Sequence, residues 1–424
     1  MPVDVNSGGR WAVLVSWMVI AAVTVGVSLD TDLRWRYLLD MHVYIQGAEH
    51  FWRGTDLYGT FFPTRNEGLP FTYPPFGAVV FTPLWLLTEA IGQTATERVF
   101  TLVSVAMVWL VARTLTQAVP TDGRPARMAV ILVVLICSLP VLSTLDLGQI
   151  NTVLLALVIL DVGRLFPRVP LGLLTGVAAA IKLTPLVFGL YFLIVWIMRR
   201  KPAGLIGMGV GFLGATSLTW MINPGVSVTY WTQTLFSSDR IGEPWYAKNV
   251  SIRGLLARFP DLEITPVLWG VSVIIVITMV SVAVIRVLHS GDTRLHHLLA
   301  VSLVALISLL CSPVSWHHHW VWLGPLAICL WFTGHRFLAG WAVFAQTIGA
   351  FHMFLPSSGG TEFSWSPIAH LLATHYLWFS LLVVVHLMIR PTIGPGDAPV
   401  AGPARGTRRP DRCRGVTPPE DRGD

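Results

Sequence analysis

Charge is scarce in this chain. Asp, Glu, Lys and Arg together make up 12% of its 424 residues, far less than a soluble domain needs to cover its surface. Cysteine is scarce as well, with four in all. Cys137, Cys311 and Cys329 lie in or beside apolar stretches and Cys413 in the tail, so no disulfide framework is suggested. The phosphate loop G-x-x-x-x-G-K-[ST] is absent, which removes an ATP-driven pump. G-x-S-x-G is missing too, and with it the commonest hydrolase elbow. No H-E-x-x-H offers two zinc ligands on one helix face. Short alternating segments of the kind that build a membrane β-barrel do not occur. The first apolar run is followed by no small-x-small cleavage site, so it reads as a retained helix.

What is abundant is apolar surface. The chain is 54% hydrophobic, with 18 Trp and 20 Phe, and its mean hydropathy is +0.64. Apolar runs recur from end to end, many long enough to cross roughly 30 Å of hydrocarbon. The expected fold is therefore all-α: a polytopic integral membrane protein of about twelve transmembrane helices. The first is Trp11 to Leu29. Others fall near 97–118, 127–145, 150–163, 169–183, 184–198, 203–222, 264–287, 297–312, 318–333, 336–355 and 369–389. Residues 1–390 form one transmembrane domain with two large loops, 30–75 and 223–263. The Pro-, Gly- and Arg-rich tail 391–424 is expected to be disordered.

The net charge of +6 does not indicate nucleic acid, because the basic residues sit in short loops and the tail. That is the positive-inside signal of a plasma-membrane protein. Placing those loops in the cytoplasm puts both ends of the chain inside and requires an even number of spans. Segment 76–92 would be one too many, so it is expected to be re-entrant or interfacial. The loop 30–75, "LGQIN" at 147–151, "KLTP" at 182–185, the loop 223–263 and "SPVSWHHHW" then share the exterior face.

Polar groups near lipid are costly, and so are functional candidates. A lone lysine more often snorkels to an interface. Lys182, however, precedes Pro185, which breaks a helix and would leave the ammonium at a helix end lining a cavity, where it suits an anionic group such as a phosphate. His317, His318 and His319 cannot all face one object if helical neighbours are about 100° apart. The bland reading is an interfacial girdle capping carbonyls. The functional one is one or two imidazoles donating to an anionic group from the bilayer. The first loop supplies carboxylates: Asp30, Asp32, Asp40, Glu49 and Asp56. Tyr44, Ala48, Phe51 and Trp52 form a stripe that suits an amphipathic helix lying on the membrane. Asp40 stands just before that helix, where it would read as an N-cap. The "DTD" at 30–32 matches a metal-binding D-x-D, but by chance more often than not. "GLPFTYPPFG" cannot be a regular helix and reads as a groove wall.

The ordered set "DMHVYIQGAEHFWRGTDLYG", "LPFTYPPFGAVVF", "LGQINTVLL", "AAIKLTPLVFGLYFL", "YWTQTLFSSDRIG…KNVSIRGLL" and "SPVSWHHHWVW" resembles the actinobacterial polyprenol-phosphate-mannose-dependent α-(1→2)-mannosyltransferases. These are glycosyltransferase family 87, within the membrane-embedded C class. The resemblance covers roughly residues 36 to 330. It implies an exterior active site and an aspartate of the first loop as catalytic base. The family's D-x-x-V-Y-x-x-G places that aspartate at Asp40. The last motif, S-P-[VI]-S-W-x-H-H, is matched by His318 and His319, with His317 in the variable position. The resemblance further implies a polyprenol-phosphate-mannose donor and a mannosylated phosphatidylinositol glycolipid acceptor. His318, His319 and Lys182 become candidates for the donor phosphate, with Arg240 a further one. Tyr44, Tyr73, Gln149, Asn151, Trp231, Asn249 and Trp316 are candidate substrate-binding residues. With a phosphomonoester leaving group a metal is not obligatory, and no cofactor is expected. A C-class transferase using another polyprenol-phosphate sugar and a lipid-linked sugar transporter are the alternatives. Against the transporter, no inverted repeat is visible.

Overall fold

The computed structural model describes residues 38–64, 68–119, 123–237, 242–260, 264–357 and 359–390. The expected first span, Asp30, Asp32, Arg240 and the tail all fall outside them. The regular structure of the described residues is helical. The exception is one small antiparallel hairpin, Phe61–Pro63 paired with Gly68–Pro70.

Four described helices are long and apolar enough to cross a membrane: Gln93–Ala118, Ala203–Ile222, Thr265–Ser290 and Arg294–Cys311. Two bent pairs bring the number to six. Arg124–Ile136 and Leu139–Leu147 meet at 62°, and Pro367–Ala373 and His375–Ile389 at 65°. Twelve apolar segments therefore do not translate into twelve uninterrupted spanning helices. The segment 127–145 breaks at Cys137–Ser138, just before Pro140, which sits in the first turn of the following helix and has no N–H to continue the preceding one. The stretch 169–198 breaks at Lys182. The segment 336–355 is helical only over Arg336–Ala345. Residues 75–91 form one short apolar helix, Pro75–Ile91, with Pro83 inside it.

Arg294–Cys311 is the central helix, buried along most of its length, and its C-terminal end leads directly into the histidine run. A close backbone approach lies elsewhere, between Leu173–Ile181 and Ala203–Ile222. A Cβ on Gly172 or Gly176 would run into the backbone of Gly204 or Met208, and one on Gly207 or Gly211 into that of Leu171 or Leu173. Small residues at such a seam let two helices gain dispersion contact that bulkier side chains would forbid.

The helix of the first loop is Leu39–Arg53. Its stripe of Tyr44, Ala48 and Phe51 is buried and packs against Pro75–Ile91 rather than lying on a lipid surface. Only Trp52 of that stripe is exposed, and its indole N–H donates to Thr82 Oγ1 at 2.7 Å. A second clamp was not foreseen. The buried Glu97, in the first turns of Gln93–Ala118, meets His42 Nε2 at 3.0 Å, and Gln93 Nε2 lies 2.7 Å from that same nitrogen. The helix carrying Asp40 is thus tied to a long span from its opposite side.

Candidate active site

Asp40 is the second residue of its helix. The N-cap is Leu38, in the left-handed region at φ 44, and no side chain caps the helix. The N-cap reading of Asp40 is therefore corrected: Leu38 N–H donates instead to Asp146 O at 2.8 Å, leaving the carboxylate of Asp40 for other partners. That leucine conformation costs on the order of 1–2 kcal/mol. It fixes the start of the helix against the end of Leu139–Leu147.

Gly148 sits at this junction with φ +65, and a Cβ there would lie 2.7 Å from Met41 Cβ and 3.1 Å from Leu38 Cδ2. Gly148→Ala is expected to push the Asp40 helix away and to impose left-handed strain. The cost should be about 1–3 kcal/mol, with turnover falling in step. Thermal unfolding in detergent and a transfer assay check this. Unchanged values in both would show that the junction does not position Asp40.

The next residue, Gln149, collects the first set of polar contacts. Its Oε1 accepts from the Tyr44 hydroxyl at 2.9 Å and from the Tyr73 hydroxyl at 3.0 Å, and the two hydroxyls lie 2.7 Å apart. Tyr44 is stacked on Phe81 with ring centroids 4.0 Å apart. With its oxygen occupied, the Gln149 amide N–H₂ is turned toward the Asp40 carboxylate. Asp40 keeps partial exposure. Burial pushes its pKa up to about 6, against the downward pull of the Lys182 ammonium and the Gln149 amide. A carboxyl poised near neutrality suits a general base.

Lys182 stands where the sequence suggested, at the end of Leu173–Ile181, in extended backbone before a 3₁₀ turn over Thr184–Val187. Its Nζ donates to Asn151 Oδ1 at 3.4 Å and lies 5.2 Å from the centroid of the Tyr73 ring. Asn151 Nδ2 in turn donates to the backbone carbonyl of His318 at 3.0 Å, which also accepts from Thr144 Oγ1 at 3.0 Å. Asp40, Tyr44, Tyr73, Gln149, Asn151, Lys182 and the start of the histidine run therefore form one connected polar array.

The histidines form a 3₁₀ turn, His317–Trp322, rather than an α-helix. His319 faces the pocket that Lys182 and Asn151 also line. His318 touches the array through its carbonyl, and its ring is buried behind His319 with the centroids 4.6 Å apart. His317 turns away to Ser143, at 2.5 Å. The apolar walls of the pocket include Leu154, Val158, Phe188 and Trp322, a lining suited to an isoprenoid chain beside a polar head.

Three candidates lie elsewhere. Trp231 packs edge-on against Tyr230 and Phe212. Asn249 is buried with its amide fully engaged, donating to Pro244 O and Pro313 O and accepting from Ser251 N and Ser315 N. Trp316 pairs with it in an isolated bridge. Both belong to the scaffold that holds the loop at Ser315. Among the described residues, no group of three or more His, Cys, Asp or Glu is placed to hold a metal ion.

Comparison with known proteins adds the chemical class. The model of "Glycosyltransferase family 87" matches residues 71–313. A polyprenol-phosphate-mannose-dependent alpha-(1-2)-phosphatidylinositol mannoside mannosyltransferase of Mycolicibacterium smegmatis is 34% identical, over 92% of this chain and 94% of its own. One of the same name from Mycobacterium tuberculosis is 33% identical over 97% of both chains. A phosphatidylinositol pentamannoside mannosyltransferase of M. smegmatis is 33% identical over 78% of this chain and 81% of its own. Among solved structures, ArnT from Cupriavidus metallidurans bound to undecaprenyl phosphate aligns over 88% of this chain and 77% of its own, with 16% identity and a TM-score of 0.38.

Proposed function

This chain belongs to glycosyltransferase family 87, and on that premise we propose that it transfers mannose from polyprenol-phosphate-mannose to a mannose 2-hydroxyl of a phosphatidylinositol mannoside or related glycolipid. The product is an α-(1→2) linkage, made at the outer face of the plasma membrane. The observation that carries the reading is one array in which the Asp40 carboxylate and the Lys182 ammonium both bear on the Tyr73–Gln149 cluster.

In a single displacement, the acceptor hydroxyl attacks the anomeric carbon as Asp40 takes its proton. The bond from that carbon to the phosphate oxygen breaks, its electron pair stays on the oxygen, and the configuration inverts from β to α. The leaving phosphate gains negative charge. Lys182, with a donor N–H of His319, meets that charge from fixed positions, where preorganised donors favour the transition state most. Asn151 holds Lys182 to the His318 carbonyl, so cation and imidazole keep their spacing. The apolar walls of the pocket would take the first isoprene units.

The purified protein, given polyprenol-phosphate-mannose and a mannosylated phosphatidylinositol, is expected to yield a product one hexose heavier with a 2-linked mannose by linkage analysis. Transfer only from another polyprenol-phosphate sugar would place the chain with a different donor. Lipid movement without transfer would make it a transporter. For orientation, a reporter inserted in 223–263 should read as exterior and one after Arg390 as cytoplasmic. Finding both on one side would overturn the outer-face assignment.

A further inference from the structure

The last family-like motif contains two serines, Ser312 and Ser315, to which the reaction above gives no role. Both line the pocket of Lys182 and His319, as does Ser308, but their hydroxyls differ. Ser308 Oγ donates to Ala305 O at 2.9 Å and Ser312 Oγ to Val314 O at 3.0 Å, so their donor capacity is used inside the protein. Ser315 is 1% exposed, and its Oγ has no partner.

The backbone of Ser315 is held on both sides. Its N–H donates to Asn249 Oδ1 at 2.9 Å, and its carbonyl accepts from Val250 N–H at 2.9 Å. A buried hydroxyl on so fixed a backbone is costly to leave unsatisfied. Ser315 lines the pocket in which Lys182 offers an ammonium that donates to Asn151 Oδ1 at a long 3.4 Å.

We propose that Ser315 is a binding residue for the phosphate group, its hydroxyl donating to one phosphoryl oxygen while Lys182 and His319 hold the others. The ligand class is a phosphate ester carried on a long isoprenoid chain, and this inference rests on the donor assigned in the preceding section. The serine supplies what a cation cannot. Lys182 attracts any anion, whereas a hydroxyl at a fixed third point selects the orientation in which the ester oxygen leads toward the apolar walls of Phe188 and Trp322.

The test compares the full-length wild type and Ser315→Ala in lipid nanodiscs for binding of decaprenyl phosphate, of decaprenol and of inorganic phosphate. Loss of one hydrogen bond to a charged group should weaken decaprenyl phosphate about tenfold or more, while decaprenol, which lacks the phosphate, binds both proteins alike. Inorganic phosphate that displaces decaprenyl phosphate, with the same sensitivity to Ser315→Ala, would make the isolated anion sufficient as ligand. Failure to displace it would tie the site to the lipid form. Equal affinity of both proteins for decaprenyl phosphate overturns the proposal. So does a parallel loss for decaprenol, which would reveal a packing role. A wild type that binds decaprenyl phosphate with the expected serine dependence yet transfers no mannose would refute the mannosyltransferase reading and leave this site standing.

Discussion

Asp40→Asn is expected to lower mannose transfer by about 10²–10⁴-fold, the range that proton removal by a positioned base contributes, with thermal stability in detergent close to wild type. Asparagine keeps the shape and the oxygen that faces the Gln149 amide, so the start of Leu39–Arg53 should stay in place. What it loses is the ability to accept the proton of the attacking hydroxyl. Donor binding should persist, because the phosphate contacts come from the opposite side of the array. An Asn variant that retains most of its turnover would move the base elsewhere. Asp56 is the next candidate in the first loop, but its Oδ1 already accepts Gly59 N–H at 2.8 Å in an exposed turn, a geometry that suits loop closure better than catalysis.

Lys182→Gln should produce two separable losses. The first is in turnover and donor affinity together, on the order of 10²-fold, since an ammonium facing a developing phosphate dianion acts most strongly in the transition state. The second appears in the pH profile. Asp40 is pushed up to about 6 by burial while Lys182 pulls it back down, so transfer by the wild type should decline as pH falls through about 6. Without the ammonium, burial acts with less opposition, and the acid limb must move to higher pH. A variant that loses activity with its acid limb unmoved would show that Lys182 serves the phosphate but is electrostatically remote from Asp40.

The sequence allowed some of this site to be anticipated, for identifiable reasons. A single lysine in an apolar run three residues before a proline points to a helix break, and Lys182 is found at one. The helix of the first loop was visible in the spacing of Tyr44, Ala48 and Phe51. Its partner was not, because an apolar stripe suits a lipid surface and another helix equally well, and the facing helix is Pro75–Ile91. Three consecutive histidines could not be told apart while the turn type was unknown. A 3₁₀ turn sends His319 into the pocket, His318 behind it and His317 to Ser143. The pairing of His42 with Glu97 joins residues 55 apart that no local pattern connects. The breaks inside the apolar segments were not legible, because hydropathy registers apolar length and does not see a 62° bend.

The glycine seam between Leu173–Ile181 and Ala203–Ile222 bears on how this protein would respond to its bilayer. Where two backbones touch directly, there are no long side chains at the contact to rearrange and absorb a displacement, so the two helices should tilt as one plank. Lys182 is mounted at the end of the shorter helix, and its position is therefore referenced to a twenty-residue partner whose length matches the hydrocarbon thickness. Lipids of different chain length would tilt that partner and carry the ammonium with it, and the Asp40 helix would follow, because Asn223 at the partner's C-terminal end donates to Phe51 O at 3.1 Å. Base and cation would then keep their spacing in membranes of different thickness.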